Sequence, residues 1–82
     1  MSYKIVEVEW VDACASDNSW TPLEELISEN TVACCTTVGY LTKDTEREVQ
    51  VLQSICGEEG GEVMNIPKGC VTSINVLSRS EA

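Results

Sequence analysis

Histidine is absent from these 82 residues, and basic side chains are scarce: five, against fourteen acidic ones. Without histidine, any zinc site that needs an imidazole is excluded, as is a Cys–His or Ser–His catalytic pair. The formal charge of −9 argues against a generally basic nucleic-acid surface and against electrostatic docking on anionic lipid. No apolar run approaches the ~18 residues of a membrane-spanning helix. The opening MSYKIVEVEW carries two glutamates and no small-residue cleavage site, so it does not read as a signal peptide. Internal repeats and low-complexity stretches are missing too.

Cysteine is present but without pattern. The five, Cys14, Cys34, Cys35, Cys56 and Cys70, are odd in number and include no pair at CxxC spacing. They read as small buried apolar residues with free thiols in a reducing compartment. A four-cysteine zinc site gathered from scattered strands is the lesser alternative. The carboxylates are spread along the chain, and none sits in an apolar context that would raise its pKa. No catalytic residue, metal ligand or cofactor is assigned, and the chain does not read as an enzyme.

The hydrophobic fraction of 43% is too high for a disordered acidic tail. One small domain spanning 1–82 is expected. A chain of this size buries only about 60–65% of its unfolded surface, and a crude balance of burial against chain entropy lands near zero. A disulfide, a metal or a partner subunit is therefore expected to help.

Alternation defines most of the elements. In 4–12, Val6, Val8 and Trp10 point one way and Glu7 and Glu9 the other, which predicts a half-buried strand. Residues 13–19 are small and polar and read as a loop. Thr21 followed by Glu24 forms a capping-box pattern with Pro22 at the first helical position. Leu23, Leu26 and Ile27 share one face of the short helix that follows. With Trp20 they are expected to form a lid over an open end of the core. Residues 31–42 read as one long strand, with Gly39 at a bend or a close backbone approach. Residues 43–47 form a charged turn, and 48–55 another strand. Residues 57–61 form a glycine-rich hairpin loop, and 62–66 a short strand. Pro67-Lys68-Gly69 reverses the chain, Pro67 fixing φ and Gly69 permitting the reversal. A last strand over 70–77 precedes a frayed tail at 78–82. Val6, Val8, Trp10, Val38, Val49, Val51, Ile66 and Ile74 are the expected core. Five antiparallel strands of this length bend most easily into a small closed barrel, which removes exposed edges.

Several of these segments resemble the Sm/LSm family of small β-barrels, to which bacterial Hfq belongs. Gly39, Leu41, Asp44 and Val49-Gln50-Val51-Leu52 are similar to the first Sm motif. Ile66, Lys68-Gly69, Cys70-Val71 and Ile74 are similar to the second. Trp10 and Asp12, Trp20, Thr37–Leu41 and Ile66–Cys70 resemble more closely a phage-encoded branch found in marine environmental sequences and attributed to cyanophages. The likeness covers about residues 4–77. It implies a mainly β fold: a strongly bent, five-stranded, antiparallel Sm-like (SH3-like) barrel. One short helix is inserted at 13–30, between the first two strands, where the family usually carries it ahead of the first strand. It also implies a homo-oligomeric ring of about five to seven subunits, joined through the fourth and fifth strands, that binds single-stranded RNA or DNA near its pore. The cytoplasm of an infected host cell is the implied setting, with no membrane partner.

Three of the five basic residues, Lys43, Arg47 and Lys68, fall in the two loops that the likeness places at the pore. Together with Gly69 they are the expected nucleic-acid contacts. The family's base-contacting asparagine and its stacking aromatic have no match, since 45–48 is Thr-Glu-Arg-Glu. Read without the resemblance, Asp44 is a turn carboxylate that bonds nearby backbone amides. A second functional reading is an acidic protein-binding adaptor or structural module, which the charge, the inserted helix and the strand edges also fit.

Overall fold

The computed structural model describes residues 3–15 and 20–79. Five strands form one antiparallel sheet: β1 (Lys4–Asp12), β2 (Ala33–Asp44), β3 (Glu48–Cys56), β4 (Glu59–Pro67) and β5 (Val71–Arg79). A seven-residue helix, α1 (Leu23–Glu29), stands between β1 and β2. A 3-10 turn (Lys68–Cys70) links β4 to β5. The tail expected from 78 onward is shorter at its start, because β5 runs to Arg79. Residues 16–19 of the expected loop and 80–82 of the tail lie outside the described residues.

The spatial order is β4-β3-β2-β1-β5. β1 is an inner strand, paired with β2 from Ile5↔Tyr40 to Asp12↔Ala33 and with β5 from Lys4↔Arg79 to Trp10↔Val71. β2 serves two partners in turn. Its first part pairs with β1, and its last residues pair with β3 from Tyr40↔Leu52 to Asp44↔Val49. Gly39 sits where the partner changes. A Cβ there would lie 2.5 Å from the Leu52 carbonyl oxygen and 2.6 Å from Val51 Cγ1, so only glycine lets β3 come this close.

The expected closed barrel is not formed. β4 and β5 stand at opposite edges of the sheet, and no pairing joins them among the described residues. The sheet is nonetheless forced to curl. Laid flat, four strand spacings would separate these edges by about 19 Å. The four residue steps from Pro67 to Val71 span at most about 14 Å. The two edges therefore converge at this turn. The turn crosses the mouth of the curl against β1 and β3 and does not fold β5 back along β4 as a hairpin, which is why closure stops there.

The curl also explains the core. Val6, Val8, Val49, Val51 and Ile66 are buried, with Trp10, Leu41, Cys70, Val71 and Ile74 packed against them. α1 buries no residue, so the sheet must cover its own inner face. Trp10 is half-buried, and its indole Nε1 donates to Thr37 Oγ1 at 3.0 Å. Val38 departs from expectation and is 54% exposed. It pairs with the outward-facing Glu7, whereas Thr37 and Gly39, one residue either side, face inward with Val8 and Val6.

Four further local expectations are corrected. Pro22 is the N-cap of α1 and its cap bears no side-chain hydrogen bond; the first-turn amides of Glu25 and Leu26 donate to the Pro22 carbonyl at 3.1 and 3.2 Å. The helix thus starts one residue later than the Thr21 capping box predicts. It is no lid: Trp20 is fully exposed, and Leu23 and Ile27 are 70% and 72% exposed. The β3–β4 connection is a two-residue turn, Gly57-Glu58, with Gly57 at φ 61°, so β4 begins at Glu59, not Glu62. The cysteines are free thiols, but none is buried: Cys14, Cys34 and Cys56 are exposed, and Cys35 and Cys70 half-buried.

Candidate nucleic-acid interface

The β2–β3 turn is built by Thr45. Its amide donates to the Glu48 carbonyl at 3.0 Å. Its Oγ1 accepts from the amides of Arg47 and Glu48, both at 3.2 Å. This is the backbone-satisfying role expected of Asp44. A threonine hydroxyl fills it, which frees the Asp44 carboxylate to face the next turn.

That next turn is brought alongside by a backbone bond: the Lys68 amide donates to the Arg47 carbonyl at 2.9 Å. Pro67, at φ −56°, pairs with Glu48 at the end of the β3–β4 ladder and delivers Lys68 to this position. Lys43, near the end of β2, and Arg47, Lys68 and Gly69, on two adjacent turns, are thus gathered at one end of the molecule. The sequence separation of Arg47 and Lys68 hides this; the β3–β4 ladder creates it.

The cations are not bare. The Lys68 ammonium pairs with Asp44 Oδ1; it does not project freely from its turn as the sequence suggests. Lys43 Nζ lies 3.8 Å from Glu48 Oε1. Arg47 is exposed, and among the described residues its guanidinium has no carboxylate partner. With Glu46, this end holds three cations and three carboxylates. On a chain of charge −9 the charges of this end therefore balance. Both lysine pairs are more than a third exposed, so water screens them and each contributes little to stability.

Gly69 is not at a strained position. It has no positive φ, and a Cβ placed on it would meet nothing within 4 Å. The chain reversal is a 3-10 turn that any residue can adopt, so the steric role expected for Gly69 is not found. What glycine leaves there is uncovered backbone.

A row of neutral side chains flanks the cations, and sequence reasoning missed it. Thr42 Oγ1 donates to Gln50 Oε1 at 2.9 Å, and Gln50 Nε2 donates to Asn65 Oδ1 at 2.9 Å. The row crosses β2, β3 and β4, and Gln50 stands opposite Lys43 in register. Amides and hydroxyls of this kind suit base edges and ribose. No sequence spacing marks it, because its members are neighbours only through strand pairing. Among the described residues no group of histidine, cysteine or carboxylate side chains is placed to hold a metal ion. No helix there is long and apolar enough to cross a membrane. Comparison with protein-family models, curated proteins and solved structures found no match to this chain.

Proposed function

We propose that this chain is a non-enzymatic, Sm-like subunit of a homo-oligomeric ring. Copies join by pairing β4 of one with β5 of the next. The ring binds single-stranded nucleic acid, RNA in the first place, at the Lys43, Arg47, Lys68 and Gly69 end. The observation that carries the reading is the pair of open edges. Both edge strands are nine residues long, with no lysine in either and proline only at the last position of β4. Monomeric sheets blunt such edges with charged side chains, proline or short strands; β5 has none of these before Arg79, and β4 carries Glu59, Glu62 (at φ 55°) and the terminal Pro67. The turn between the two edges carries Lys68, so assembly through them repeats that ammonium around a common axis. Repetition raises local positive potential even where net charge is negative.

One observation favours a second reading, the acidic protein-binding adaptor. Lys68 and Lys43 already have carboxylate partners, and phosphate must compete with Asp44 and Glu48 for them.

Titration of fluorescent oligo-uridine and oligo-adenine at two salt concentrations separates the two. The nucleic-acid reading expects binding at low salt that weakens as salt rises, and loss of that binding in Lys68→Glu. The same variant should lose about 1 kcal/mol of folding stability or less. Wild-type protein that binds neither RNA nor DNA at low salt gives the site to a protein partner.

A further inference from the structure

We infer that the free side of β2 over Ala33–Val38 is a strand-addition site for an extended segment of another protein, one in which apolar and basic residues alternate. The inference goes beyond the ring and its nucleic-acid end, and it uses neither β4 nor β5 as an edge. β2 pairs with β1 from Ala33 to Tyr40, but with β3 only from Tyr40 to Asp44. Past Leu52, β3 continues from Ser54 to Cys56 in its pairing with β4. The two strands therefore part before Gly39, and among the described residues no strand pairs with the side of 33–38 that faces away from β1. This edge is Ala-Cys-Cys-Thr-Thr-Val, with no charge or proline to blunt it. A groove of about 280 Å³ opens where the strands part, with Thr37 and Val38 on one side and Val51, Glu62, Val63 and Met64 on the other. Val38, Val63 and Met64 are exposed. Glu62 is the one described non-glycine residue with a positive φ, 55°, a conformation that recurs at ligand clamps.

Charge and face decide the occupant. An added strand turns alternate side chains to the two faces of the sheet. Those on the inner face cover the open end of the core at Thr37, Val51 and Met64, and are apolar. Those on the outer face lie beside Thr36 and Val38, whose partners on β1 are Glu9 and Glu7. The two carboxylates accept from Ser73 and Asn75, neutral groups that leave their charge intact. They stand two strand spacings, about 10 Å, from the added strand, close to one Debye length. Lysine and arginine are absent from 5–42 and from 48–67, so nothing on these strands offsets the acids, Glu62 at the groove included. This field selects basic residues for the outer set. It also turns away nucleic acid and anionic lipid. A second copy fits no better. Its cations, Lys4, Lys43, Arg47, Lys68 and Arg79, include no two that are two residues apart, so none of its strands alternates basic with apolar residues.

Three labelled peptides of about seven residues test this: valine alternating with lysine, the same peptide N-methylated throughout, and valine alternating with glutamate. Binding to the full chain is read by fluorescence anisotropy, and its place by hydrogen exchange. The lysine peptide is expected to bind, more weakly as salt rises. It should slow exchange about tenfold or more at the 33–38 amides that point away from β1. The N-methylated peptide keeps the side chains and loses the backbone donors, and the glutamate peptide reverses the charge; both are expected to bind at least about tenfold more weakly. Thr36→Lys, at an exposed position opposite Glu9, should melt as wild type does and weaken the lysine peptide about tenfold through like charge. A lysine peptide that does not bind would overturn the site, as would Thr36→Lys protein that binds it as tightly as wild type. Equal binding of the N-methylated peptide would refute strand addition, and equal binding of the glutamate peptide the charge selection. Slowing confined to 59–67 or 71–79 would move the peptide to the β4 or β5 edge and contradict the inference. Protection of 33–38 that grows with protein concentration alone would give the edge to a second copy and contradict it too.

Discussion

β1 and α1 carry apolar patterns of similar clarity and meet opposite fates. Val6, Val8 and Trp10 alternate in β1, and two of the three are fully buried. Leu23, Leu26 and Ile27 share a face of α1, and none is buried. The difference lies in what surrounds each element. β1 is an inner strand, bonded to β2 on one side and β5 on the other, with the curled β3 and β4 across from its inner face. α1 has seven residues, fewer than hold a helix alone in water, and among the described residues no layer buries its stripe. Periodicity states which residues can be buried together; topology decides whether anything is there to bury them.

Four variants probe that contrast, each read from denaturant midpoints at one fixed protein concentration, since assembly would shift the apparent stability. Ile66→Ala, in the fully buried cluster, should cost about 2–5 kcal/mol. A cost below 1 kcal/mol would mean that the curled sheet does not enclose this side chain. Gly39→Ala should cost about 1–3 kcal/mol, because the atom nearest the new methyl is backbone oxygen and cannot rotate away. Gly69→Ala sharpens the comparison from the other side. With open space and no positive φ there, it should be neutral or stabilise by about 0.4–1 kcal/mol through the unfolded chain. A large loss would restore the steric role that the geometry denies. Replacing Leu23 and Ile27 together with serine should move stability by no more than about 0.5 kcal/mol. A loss of several kcal/mol would show that the stripe is covered after all.

What was legible in the sequence follows the same division. The five strands were legible, since alternation reports a half-buried ladder directly, and so was the close approach at Gly39. The face of Val38 was not: a β-branched side chain suits either face of a strand, and one position along it changes the face. The helix start moved by one residue because Pro22 itself takes the cap. Barrel closure was not legible, because it depends on how the three-residue turn after Pro67 crosses the mouth. The four candidate contacts were legible as neighbours, since the end of β2 and the two turns that hold them do meet. Their carboxylate partners were visible only as nearby letters. Asp44 pairs with a lysine 24 residues away, and no local pattern states that. The Thr42–Gln50–Asn65 row was invisible for the same reason.

The account stands on the two unpaired edges, and the mass of the native assembly tests it most directly. Light scattering or native mass spectrometry at micromolar concentration should give one closed species of about five to seven times the 9.0 kDa chain mass. A single species at 9.0 kDa would contradict it.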